Sequence, residues 1–116
     1  MSTKKSSIPS SSDFIYAILK FADKRTGEFH CSEAREAMAR HFNLSPAEKR
    51  ELTAGGNEVR YKNRTSRAMS NLKLYGDLLR SKRRGYYEIT RRGREELKRS
   101  NGEITLAYLQ KKYFRP

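Results

Sequence analysis

The chain has 116 residues, 35% of them hydrophobic, and 26 lysines and arginines against 13 aspartates and glutamates give it a formal net charge of +13. That length supports one small domain with a core of a few helices and a hairpin. A single cysteine, Cys31, excludes an internal disulfide, His30 and His41 lack the paired cysteines of a zinc site, and no apolar run is long enough to span a membrane.

The charge is concentrated. Residues 1 to 59 hold 9 basic and 8 acidic side chains, whereas residues 60 to 99 hold 14 and 4, a net of +10. Such a local cationic field attracts polyanions, nucleic acid first among them for a compact domain. An anionic membrane is the weaker candidate, because no basic helix carries the broad apolar face that insertion needs. The lone cysteine and the absence of an apolar export segment in MSTKKSSIPSSS point to a reducing, cytoplasmic compartment, with residues 1–11 as a flexible tail.

From Ser12, read as a cap, Phe14, Ile15, Ile18, Leu19 and Ala22 recur at helical spacing and predict a first helix ending near Lys24 to Gly27. Phe29 to Cys31 is a short extended segment that could add a third strand to a later hairpin. Ser32 is read as the cap of a second helix carrying Ala34, Ala37, Met38 and Phe42, with Asn43 as a left-handed stop. Ser45-Pro46-Ala47-Glu48 is a specific start signal, with a capping serine, proline at the first helical position and glutamate three residues after the cap. It predicts a short third helix to about Leu52, followed by a breaking loop, Thr53 to Glu58.

A longer fourth helix follows, its inner side traced by Tyr61, Thr65, Ala68, Met69, Leu72 and Tyr75 and its end marked by Gly76. Asn63, Ser66, Arg67, Ser70 and Leu74 point the other way, with Arg60, Arg64 and Asn71 on the flank. No acidic residue falls between Arg60 and Gly76, whereas a merely solvated helix mixes both signs. Leu78 and Leu79, then the basic turn Arg80 to Gly85, then Tyr86, Tyr87 and Ile89 predict a hairpin with a cationic tip. Thr90 caps a fifth helix to Arg99, Ser100-Asn101-Gly102 stops it, and an apolar segment with Ile104, Leu106, Leu109 and Phe114 ends the chain.

This order is that of a winged helix-turn-helix, a mainly α fold with a small β-hairpin (α+β), spanning residues 12–99 with a helical extension over 100–116. The run Tyr61-Lys62-Asn63-Arg64-Thr65-Ser66-Arg67-Ala68, Gly76-Asp77-Leu78-Leu79 and Tyr87-Glu88-Ile89-Thr90 leading to Gly93 resemble the N-terminal domain of Mrr-like restriction systems. The match departs at Arg67, where that family often has tryptophan, and at Asp77, where leucine is usual. The resemblance implies a DNA-recognition role, with a nuclease domain or subunit as partner, and this chain as either a stand-alone module or a fragment.

Catalytic alternatives find little support. Glu96 and Lys98, which with Asp77 could suggest a metal-dependent nuclease, diverge by about 200° on a helix. His30 and Cys31 are sequence neighbours without a third orienting group, and Gly55-Gly56 lacks the lysine of a phosphate-binding loop. Tyr86 and Tyr87 could stack on unpaired bases, but strand alternation puts one of them into the core.

The expectation is a cofactor-free, non-enzymatic module that binds double-stranded DNA. Arg60, Asn63, Arg64, Arg67 and, more weakly, Asn71 would reach base edges or phosphates in the major groove, and Arg80, Lys82, Arg83 and Arg84 the adjacent backbone or minor groove. The alternatives are a dimeric transcriptional regulator paired through Ile104 to Phe114, and an adaptor that docks an acidic protein, so the chain is expected as monomer or homodimer.

Overall fold

The computed structural model describes residues 7–100 and 103–113. Helix α1 (Ser11–Asp23) starts one turn before its apolar stripe. The Ser10 hydroxyl accepts from the Asp13 N–H, and the Asp13 carboxylate accepts from the Ser10 N–H. The cap is therefore Ser10 and not Ser12, whose hydroxyl accepts from the Leu106 N–H at 2.9 Å. Phe14, Ile15, Ile18 and Leu19 are fully buried.

Strand β1 (Phe29–His30) runs directly into α2 (Cys31–His41). The helix is capped by His30 rather than Ser32: the His30 ring Nδ1 accepts from the Ser32 N–H at 3.1 Å, and the Glu33 carboxylate accepts from the His30 N–H at 2.9 Å. Asn43 ends α2 at a φ of +49°, as its residue type predicts. Helix α3 (Pro46–Arg50) has the reciprocal Ser45–Glu48 cap read from its sequence, but stops two residues short of Leu52. Leu52 instead bridges to Val59, and the Thr53 N–H donates to the Glu58 carbonyl, so residues 53–58 form the tip of a tight loop.

Helix α4 (Arg60–Leu74) turns Tyr61, Thr65, Ala68, Met69 and Leu72 inward against α1 and α2. The buried Thr65 hydroxyl is satisfied by the Tyr61 carbonyl at 2.8 Å. Leu78 then donates to the Leu72 carbonyl at 2.8 Å, folding the chain back on the end of α4. Strands β2 (Leu79–Arg80) and β3 (Tyr86–Ile89) form the hairpin, and β1 adds to its other side in the order β1-β3-β2, all antiparallel. The third strand is thus real. Both tyrosines of β3 are half-buried: Tyr87 packs on the core, while Tyr86 is edge-on to His30 and lies under the Arg83 guanidinium at 3.7 Å.

Helix α5 (Arg91–Arg99) explains the Ile-Thr-x-x-Gly run in physical terms. Ile89 is buried. The Thr90 hydroxyl accepts from the Gly93 N–H at 3.1 Å and donates to the Asp77 carbonyl at 2.6 Å, and a Cβ on Gly93 would lie 2.4 Å from the Leu78 carbonyl oxygen. Helix α6 (Leu106–Tyr113) closes the fold, with Ile104 and Leu109 fully buried. Those two side chains of the expected Ile104-to-Phe114 dimer segment are packed into the core of the monomer. The architecture is mainly helical with a three-stranded antiparallel sheet, the winged-helix-like α+β fold the sequence predicts.

Two sequence expectations fall partly or wholly outside the described residues: the Asn101-Gly102 stop, and Phe114 as part of the last apolar segment. Residues 1–6 of the expected tail also lie outside. Ile8, read with them as tail, is only 4% exposed and belongs to the core.

Candidate nucleic-acid interface

On α4 the outward face matches the helical-wheel reading. Ser66, Arg67, Ser70 and Leu74 are exposed, and Asn63 is half-exposed with its carboxamide donating to the Glu58 carboxylate at 3.0 Å. Lys62 and Lys73 are exposed on one flank. Neither is singled out as a site residue from the sequence, although their offset from the apolar stripe is readable from helical spacing. Among the described residues, Lys62, Arg67 and Lys73 have no acidic partner.

The other flank differs from the expectation. Arg64 does not project toward solvent: its guanidinium donates to the Ile8 carbonyl and, at 2.7 Å, to the Pro9 carbonyl. Desolvation and the neighbouring Arg60 charge lower its pKa from the ordinary arginine value. Arg60 is ion-paired, its Nε 2.6 Å from Glu51 Oε2 but poorly aligned as a hydrogen bond, and its side chain is 25% exposed. Both were expected to contact DNA directly. In the structure both have partners within the chain, because the segment before α1 and the loop after α3 pass over this flank. Arg60, Asn63, Arg64, Arg67 and Asn71 are nonetheless brought together, as the α4 wall of one cleft of about 510 Å³.

At the wing, Gly85 has a φ of +85°, which lets the turn close at a left-handed position. Its carbonyl accepts from the Cys31 N–H at 2.9 Å, tying the wing to the start of α2. Arg80 and Lys82 share Glu88, at 2.9 and 3.4 Å, and Arg83 reaches Glu28 at 3.2 Å. The hydrogen bond from Arg80, then the charges of Arg80 and Lys82, hold the Glu88 carboxyl below its ordinary pKa against a smaller opposing effect of burial. The side chains of Arg80, Lys82 and Arg83 are 56–63% exposed, so these are surface pairs worth about 0–1 kcal/mol, which a phosphate can displace. Arg84 is exposed and has no acidic partner among the described residues.

Glu96 is the residue whose importance the sequence concealed. Only 2% exposed, it accepts from Tyr108 at 2.7 Å and from Tyr113, and pairs with Lys112 at 2.7 Å. Burial pushes its pKa up, but the bonds from Lys112, Tyr113 and Tyr108 outweigh that and leave it below the ordinary value. Burial and the same carboxylate push the Tyr113 hydroxyl up to about 12. This cluster fastens α6 to α5. The signal that could have found it is position: Glu96 lies three residues after Gly93, on the inner side of α5.

No curated protein and no solved structure matches the chain. The Mrr N-terminal domain family model matches residues 12–99, from the first turn of α1 to the last residue of α5. With its helices, hairpin and capped α5 in the order described above, the chain belongs to the Mrr N-terminal domain family, which links it to restriction systems.

Proposed function

We propose that this chain is a double-stranded DNA-binding module, not itself an enzyme, and that it serves as the recognition part of an Mrr-like restriction system in which a nuclease domain or subunit makes the cut. The observation that carries this reading is the outward face of α4, solvent-exposed and without an acidic residue from Arg60 to Gly76, on a helix that packs against the base of a cation-tipped hairpin. Ser66 and Ser70 are short, so a duplex can approach the helix closely, and Arg67 has the fork geometry for guanine O6 and N7. Asn63 suits adenine once it releases Glu58. Lys62 and Lys73 would lie toward the phosphates of the groove walls, and Lys82, Arg83 and Arg84 along the neighbouring backbone.

The test is a gel shift with random-sequence duplex at low salt, comparing the native chain with Ser70→Glu. The native chain should retard the duplex, and a carboxylate in the middle of the reading face should weaken binding at least about tenfold, the effect of roughly 1.4 kcal/mol of repulsion. No retardation by the native chain would favour the adaptor reading, and equal retardation by both proteins would remove α4 from the interface.

A further inference from the structure

The cleft beside α4 borders the reading face at Asn63 and Arg67 and adds chemistry that the face does not use. Besides those two it is lined by Arg60, Arg64, Asn71, Gln110, Ser11 and Thr53 and, among the described residues, by no acidic one. Neighbouring acidic groups are already engaged: Glu51 offsets the charge of Arg60 at the cleft wall, Glu58 accepts from Asn63, and Asp13 accepts from the backbone N–H of Ser10.

Two of the three arginines are fixed before any ligand arrives. Arg64 is held by the Ile8 and Pro9 carbonyls, and Arg60 stands against Glu51 with its Nε lacking an aligned acceptor. Carbonyl dipoles orient Arg64 without cancelling its charge, and Arg67 brings a further cation with no acidic partner among the described residues. Holding these side chains together raises the field in the cleft and reduces the ordering cost of binding an anion. Several planar donors around one space suit a tetrahedral, multi-oxygen anion better than a carboxylate, and about 510 Å³ leaves room for a sugar and base attached to it.

We propose that this cleft is a phosphate subsite, adjoining the outward face of α4, that takes the phosphate of a nucleotide, either free or within a DNA backbone. Asn63 and Arg67 border both the cleft and the reading face, but pyrophosphate saturation reports on the cleft and the gel shift on the face, so either reading can fail alone.

The test follows the arginine Nε–Hε NMR signals of the full chain titrated with sodium pyrophosphate, with sodium chloride at matched ionic strength as reference. Saturable shifts of Arg60 and Arg67 are expected. Arg67→Gln should weaken the pyrophosphate affinity about tenfold, the share of one charge-assisted contact, and Lys24→Gln, which removes an exposed cation at the end of α1, should leave it unchanged. A non-saturating response, or equal weakening in both variants, would overturn the proposal in favour of diffuse charge. Adenosine monophosphate and a short duplex then separate the sources. Saturation by the mononucleotide alone supports a free nucleotide, and displacement of pyrophosphate by the duplex supports a backbone phosphate. Failure of both, with pyrophosphate itself not saturating, sinks the subsite whatever the gel shift shows.

Discussion

Arg64 shows how a side chain with the right chemistry for DNA can be recruited by its own chain. Its bonds to the Ile8 and Pro9 carbonyls hold the segment that brings Ile8 into the core, so Arg64→Met should destabilise the protein by about 2 kcal/mol, the scale of hydrogen bonds to a charged donor plus acceptors left unpaired. Arg67→Met, at an exposed position, should stay within about 0.5 kcal/mol, and urea unfolding of the two variants compares them directly. Glu96, the buried one of the carboxylates whose pKa is lowered, contributes to the acid limb of stability. Its folded pKa lies below the ordinary 4.5, so the stabilisation it gives is complete above the unfolded value and is lost as pH falls through the lower, folded one. Thermal unfolding should therefore show a melting temperature that declines below about pH 4.5 in the native chain, with a shallower decline in Glu96→Gln, which starts from a lower plateau because Lys112 loses its counter-charge.

Elements were legible where local chemistry decides and illegible where distant packing does. The Ser45-Pro46-x-Glu48 cap, the Asn43 stop, the Thr90 cap and the stripe of α4 were all readable, because each is fixed by bonds within a few residues or by a 3.6-residue period. The wing was readable for the same reason, its basic turn lying between two short apolar segments. Ser12 was misread as the α1 cap because three consecutive serines offer equivalent hydroxyls, and only the docking of Leu106 determines which one is engaged elsewhere. A histidine as the cap of α2 was missed because Ser32 stands two residues on and serine has the stronger prior. The candidate site divides in the same way: the outward face follows from helical geometry alone, whereas the engagement of Arg60 and Arg64 depends on contacts with Glu51 and Ile8 that no local pattern announces. Gly93 offers the sharpest element-scale test. Helix propensity favours Gly93→Ala by about 1 kcal/mol, but the new Cβ would meet a backbone carbonyl at 2.4 Å, and overpacking against a group that cannot rotate away costs about 1–3 kcal/mol or more. The clash should win, with a lower urea midpoint in the alanine variant despite its better helix former.

For the whole molecule, the net charge of +10 between residues 60 and 99 makes salt the first diagnostic of the partner. If about five phosphates are neutralised, the slope of log affinity against log salt should be near −4.5, and Arg84→Gln should reduce its magnitude by about one, as read by fluorescence anisotropy over a salt series. A flat line would count against nucleic acid altogether. The burial of Ile104 and Leu109 matters beyond the wild-type fold, since both lie past the last residue matched by the family model. Burying each is worth about 1.5–3 kcal/mol, a large share of the 5–15 kcal/mol that keeps a domain folded. Anyone grafting this domain elsewhere should therefore carry the sequence through Tyr113, because a copy trimmed at Arg99 would lose two core side chains and strip the buried Glu96 of its partners.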